Sequence, residues 1–131
     1  MKKVGILNAP ISAVIAELGH MDTLTIADAG LPIPDQVYRI DLALTQGIPG
    51  FIDSLRVILS EMEVEKAIVA SEMKEVSLGI LDDVRQLLGD IPIEFVPHQR
   101  FKELTQSSRA IIRTGEFTPY ANIILVSGVV F

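Results

Sequence analysis

The stretch LGHMDTLTIADAGLPIP, from Leu18 to Pro34, sets an imidazole (His20) and a carboxylate (Asp28) on either side of a short β-like run. Further along, His98 follows IPIEFVP, and TGEFTPYAN supplies Tyr120 and Asn122. An imidazole gives and takes protons near neutral pH. Carboxylates, phenols and amides orient hydroxyl groups by hydrogen bonding. Together these groups suit cofactor-free proton transfer to sugar oxygens. Each residue also has a plainer reading. His20 reads as a helix-end histidine favoured by the local dipole, and Asp28 as a turn former before Ala29-Gly30. His98 reads as a surface or N-cap histidine, Tyr120 as a packed loop aromatic, and Asn122 as a strand-start or turn residue. Lys102, one helical turn beyond His98, and Glu116 are further candidates, with solvated side chains as the simpler reading of both.

Helices and strands alternate along the chain. Asn8 caps a first helix, Pro10 is tolerated in its first turn and Gly19 stops it. Ile11, Val14, Ile15 and Leu18 lie on one stripe of that helix. TLTIAD reads as a strand, and a short strand is expected within VYRIDLAL. A second helix is expected over Phe51 to Glu63, with Leu55, Ile58, Leu59 and Met62 inward. VEKAIVA is a strand, and Leu78 to Leu88 is a helix stopped by Gly89. IPIEFV is a strand, Gln99 to Thr105 a short helix, and RAIIRT and NIILVSGVVF are the last strands. This order predicts an α/β three-layer sandwich with a mainly parallel central sheet, a single domain over residues 1–131. The last two strands have no helix between them, so a hairpin or an edge variation is expected there. Burial is expected for the whole of NIILVSGVVF.

Ligands of open α/β sheets collect beyond the carboxyl ends of the strands. Asp28, His98 and the Tyr120–Asn122 loop each follow a strand, so they are expected to share a pocket. His20 precedes the strand that Asp28 follows. Eight extended steps at ~3.3 Å each would put the two about 26 Å apart. Unless the chain bends sharply, His20 and Asp28 of one subunit serve different sites. The expectation is a site shared across an oligomer interface.

The chain has 131 residues, no cysteine and a formal net charge of -6. Without cysteine there is no disulfide, thiolate metal site or cysteine nucleophile, which fits a reducing compartment. No cluster of Lys and Arg offers a nucleic-acid or anionic-membrane footprint. No apolar run reaches the roughly 18 residues of a membrane helix. Lys2 and Lys3 precede an apolar stretch, but Asn8 and Pro10 interrupt it and no A-x-A site follows, so a cytoplasmic protein is expected. G-x-G-x-x-G, G-x-x-x-x-G-K-[ST] and G-x-S-x-G are absent. Two histidines without cysteine give no support to a zinc site.

ELGHMD, TIADAGLPIP, IDLAL…GIPGF, EMEVEKAIVA, FVPHQRFKELT and IRTGEFTPYANIILVSGVVF follow one another along nearly the whole chain. In this set and spacing the sequence resembles the D-ribose pyranase family, relatives of the L-fucose mutarotases. The stretch from Ile112 to Phe131 is the most specific. Met21 departs from the pattern, where a small polar residue such as threonine is expected, and Lys74 to Asp90 is the least similar region.

The resemblance implies an isomerase that interconverts the β-pyranose and β-furanose forms of D-ribose. It implies His20 as proton donor and Asp28, His98, Tyr120 and Asn122 as the sugar site, with no cofactor and no metal. It also implies a cytoplasmic homo-oligomer, a decamer of two pentameric rings, with sites near subunit contacts. Three other readings stand beside it. They are a mutarotase for another sugar such as L-fucose, a non-catalytic sugar-binding partner of a ribose transporter, and an α/β interaction domain that docks through its apolar C-terminus.

Overall fold

The computed structural model describes residues 1–131. Helix α1 (Ala9–Glu17) starts at Asn8, whose side chain accepts the Ile11 N–H at 3.0 Å. Strand β1 (Thr23–Ala27) and the short β2 (Tyr38–Asp41) follow. Then come α2 (Phe51–Leu59), β3 (Val64–Ala70), the one-turn α3 (Met73–Val76) and α4 (Leu78–Leu88). Strand β4 (Ile93–Val96), α5 (His98–Leu104), β5 (Ala110–Arg113) and β6 (Ile123–Ser127) complete the chain.

The six strands form one sheet in the order β2-β5-β1-β6-β3-β4. Five run parallel, and β6 runs antiparallel to both of its neighbours, β1 and β3. The central strands are apolar at nearly every position because both faces of the sheet are covered. Alternate residues divide between the two sides. Leu24, Ile26, Ile112, Ile123 and Leu125 face a core built with α1, α2 and α4. Ile111, Ile124 and Val126 face a smaller core with Phe101 of α5 and the Leu31–Val37 loop. Three layers result, as the alternation of elements predicts.

Three expectations need correction. The last two strands form neither a hairpin nor an edge. They are separated by β1, and β6 fills the middle of the sheet. An antiparallel strand needs no crossover helix, so the loop after β5 passes along the sheet edge and feeds β6 back between β1 and β3. Secondly, α2 ends at Leu59 rather than Glu63, because the N–H groups of Glu61 and Met62 both turn back to the Ile58 carbonyl. Met62 is still buried. Thirdly, burial of NIILVSGVVF stops at Ser127, and Val129, Val130 and Phe131 are exposed. The ladder ends there because Gly128 donates to the Glu63 carbonyl, ahead of the start of β3.

Candidate active site

Five parallel strands deliver their carboxyl ends to one edge of the sheet, and β6 begins at that same edge. Asp28 follows β1, Glu72 follows β3, His98 follows β4, Glu116 follows β5, and Asn122 precedes β6. The edge therefore gathers Asp28, His98, Tyr120 and Asn122, the four residues named from the sequence as a sugar site.

Asp28 and Asn122 hold each other. The Asp28 N–H donates to Asn122 Oδ1 at 2.8 Å, and Asn122 Nδ2 donates to Asp28 Oδ2 at 3.0 Å. Asn122 is fully buried. The other Asp28 oxygen accepts the Gly30 N–H at 2.9 Å, so the turn-forming reading of Asp28 is also true. Its carboxylate is thereby fixed at the rim of a cleft that Gly30, Arg113 and Thr118 also line.

Tyr120 adopts the left-handed backbone region, at φ 62°, where a bulky residue is strained. The Asn122 N–H bonds the Tyr120 carbonyl at 2.7 Å and locks this bend. The phenol ring meets the His98 ring edge-on, with centroids 5.0 Å apart. Phe101, fully buried, lies nearly parallel to the His98 ring, with centroids 6.2 Å apart. Burial, followed by the charge of Lys102, holds the His98 pKa below its usual 6.5, while Glu72 and Asp28 pull against them. At neutral pH the ring is therefore uncharged, with one N–H donor and one acceptor, a pair that suits a hydroxyl group. Its Nδ1 is buried and finds no partner in the chain.

The loop that carries Tyr120 is tied down by Glu116. That carboxylate accepts the Phe51 N–H at 3.1 Å, the Thr118 N–H at 3.2 Å and the Thr118 hydroxyl at 2.8 Å. Burial raises its pKa, but these donors outweigh burial and hold it below the ordinary carboxylate value. The exposed-loop reading of Glu116 is thus replaced by a structural role. Phe51 opens α2, whose N-cap is Gly50, so Glu116 supplies the cap that α2 lacks. Lys102 acts on His98 by charge and lines a shallow cleft with Pro32 and Gln99.

Gly115 is where this loop crosses the chain before α2. A β-carbon there would meet the Thr45 carbonyl oxygen and the Ile48 backbone, at 2.7 Å from the Ile48 nitrogen. These are backbone atoms and cannot swing away. Gly115→Ala is expected to cost about 2–3 kcal/mol, read as a fall of ~5–10 °C in Tm. A melting curve that matches the parent would show that the crossing has slack.

His20 does not join the four. It lies beyond α1 at the opposite edge of the sheet, half exposed, with Nε2 2.8 Å from Glu65 Oε2 at the start of β3. The next residue, Met21, turns through a positive φ of 72° and donates its N–H to the Ser127 carbonyl at 2.9 Å. One subunit thus presents Asp28 and His20 at opposite ends of β1. Sequence reasoning missed Glu65 and Glu72. Both stand among other acidic residues, in EMEVEKAIVA and SEMKE, and nothing in the local pattern marks out the one that meets a histidine.

The model of the RbsD / FucU transport protein family matches residues 1–130. The chain is 57% identical over 131 residues to the D-ribose pyranase of Coprothermobacter proteolyticus, with 100% of both chains covered. The structure of Bacillus subtilis RbsD complexed with D-ribose matches with a TM-score of 0.97 at 50% identity, over 100% of both chains. The fucose mutarotase of Streptococcus pneumoniae, in complex with L-fucose, matches with a TM-score of 0.79 at 25% identity, over 95% of both chains.

Proposed function

The chain belongs to the RbsD / FucU transport protein family, and from that premise we propose that it is an isomerase interconverting the pyranose and furanose forms of D-ribose. The observation that carries this reading is the full-length likeness, at 50% identity, to a structure holding D-ribose. The relative that holds L-fucose shares half as much of the sequence, 25%, so a fucose mutarotase is the weaker reading. A merely sugar-binding protein is weaker too, because relatives above half identity over the whole chain are enzymes.

The chemistry needs protons moved and nothing else. A proton reaches the ring oxygen as the C1–O5 bond breaks, and the anomeric hydroxyl loses its proton to leave an aldehyde. The C4 hydroxyl then attacks C1 and gives up its proton, while the carbonyl oxygen takes one back. No net proton, electron or group is exchanged, so the reaction uses no cofactor. In this reading Asp28, Asn122, His98 and Tyr120 bind the sugar hydroxyls, and His20 is the proton donor. A neutral His98 both donates to and accepts from a hydroxyl. Positioned acid–base catalysis is worth roughly 10²–10⁴-fold.

His20 and Asp28 stand at opposite edges of the sheet, so a complete site draws His20 from a neighbouring subunit. A ring-forming homo-oligomer, a decamer of two pentamers, fits this need, because head-to-tail contacts close into rings. We assign the enzyme to the cytoplasm, where a chain without cysteine works unaffected by the reducing conditions.

Saturation-transfer NMR on ribose tests the function. Addition of the protein is expected to speed pyranose–furanose exchange well above the spontaneous rate and to leave L-fucose anomer exchange much less affected. No acceleration with ribose would overturn the proposal, and strong acceleration with fucose alone would select the other mutarotase.

A further inference from the structure

We propose that Glu72 is a positioning residue for the site, fixing the first turn of α5, and with it the His98 imidazole, by accepting the His98 backbone N–H in its carboxylate. The role of His98 in sugar binding rests on the functional reading above; the role of Glu72 rests on geometry.

Helix α5 cannot cap itself. Its N-cap is Pro97, which has no side-chain oxygen to offer. The missing acceptor comes from another element. Glu72 Oε1 and Oε2 each lie 3.1 Å from the His98 nitrogen, across 26 positions of sequence. The carboxylate is itself held, since Ser71 Oγ donates to Oε1 at 3.1 Å. Ser71 continues the β3–β4 ladder by donating its N–H to the Val96 carbonyl at 2.7 Å. Glu72 therefore transmits the register of two sheet strands to the residue that opens α5. Burial raises the Glu72 pKa, but its own N–H, the His98 N–H and the Ser71 hydroxyl outweigh burial, so the group is charged at neutral pH.

Charge gives a readout separate from shape. The groups that act on the His98 ring are Lys102 on its own helix, Glu72 beyond β3 and Asp28 beyond β1, with the Tyr120 ring nearly perpendicular to it. Lys102 disfavours the protonated ring and the two carboxylates favour it. Removing the Glu72 charge leaves Lys102 less opposed, so the His98 titration moves to lower pH.

The experiment compares Glu72→Ala and Glu72→Gln with the parent. It reads the His98 ring titration by NMR on sugar-free protein, and KM and kcat for ribose exchange. Glutamine keeps an oxygen for the His98 N–H and loses the charge; alanine loses both. Glu72→Ala is expected to raise KM about five-fold, the size of a lost helix cap, and to change kcat far less. Glu72→Gln is expected to recover most of the KM. Both are expected to lower the His98 midpoint. Equal KM values for the alanine variant and the parent, or a glutamine variant as impaired as alanine, would overturn the proposal. Should the alanine variant fail to fold, hydrogen exchange of the His98 backbone amide in the parent decides: exchange as fast as that of an unprotected amide would overturn the proposal. A parent protein inert toward ribose defeats the functional reading alone, because the titration is read without sugar.

Discussion

Replacing His20 with alanine is expected to slow pyranose–furanose exchange by roughly 10²–10⁴-fold, the usual worth of a positioned acid–base group. Ribose binding should change far less, because in this reading the four residues of the carboxyl edge, and not His20, hold the sugar hydroxyls. The side chain is half exposed, bonds the Glu65 carboxylate and belongs to neither apolar core, so its loss removes no core packing. The protein should therefore melt close to the parent temperature. A second experiment tests where the histidine acts. His20→Ala and Asp28→Ala chains, each inactive alone, are unfolded and reassembled together. If each site takes the two residues from different subunits, random mixing rebuilds about a quarter of the sites with both groups intact. Activity that stays absent in the mixture means that both residues of a site come from one chain. Full activity of His20→Ala by itself would move the proton donor elsewhere, with His98 the next candidate.

Asn122→Ala is expected to be the most damaging change at the carboxyl edge. It deletes both halves of a reciprocal pair from a fully buried position, strands the Asp28 N–H and leaves the Asp28 carboxylate held by Gly30 alone. Unpaired buried polar groups cost ~1–3 kcal/mol each. A site that has lost two oriented groups should lose about 100-fold in kcat/KM. Calorimetry and exchange NMR check the two effects separately. Asn122→Asp refines the result. It sets a second carboxylate against Asp28, and like charges so close disfavour ionisation of both. This variant should bind ribose poorly at neutral pH and recover partly as the pH falls and one of the pair takes up a proton. Binding equal to the parent in Asn122→Ala would remove the Asp28–Asn122 pair from the sugar site.

The sequence shows the layers of this fold more readily than the order of its strands. Periodicity marks α1, α4 and the β1, β3 and β6 strands, because their apolar residues recur with the spacing of a buried stripe or a doubly buried strand. Strand order depends on which edges meet, and no local pattern in IILVS says that it pairs with TLTIA and VEKAIVA rather than with AIIR beside it. Among the candidate residues, the rule that ligands gather beyond parallel strands groups Asp28, His98 and Tyr120 correctly in space. The same rule sets His20 aside. Glu65 and Glu72, and the capping role of Glu116 on α2, escape sequence reasoning because the histidines and the helix start that they meet lie at least 26 positions away, on other elements. Pro97 and Gly50, where helix caps lack a side-chain acceptor, give the one hint that acceptors are borrowed.

The place of β6 has a consequence for how the protein is made. A chain leaves the ribosome from its amino end, so β1 to β5 emerge before β6 does. In the finished sheet only β6 joins β2-β5-β1 to β3-β4, so neither β1 nor β3 has its inner partner until that strand arrives. The facing flanks of β1 and β3 then present unpaired backbone groups and apolar side chains, the features that invite mispairing with other chains. Helices can form early, but the two cores can close only when the final strand is inserted between partners that were synthesised long before it. Folding of this protein during translation is therefore a waiting problem, centred on the gap that β6 later fills.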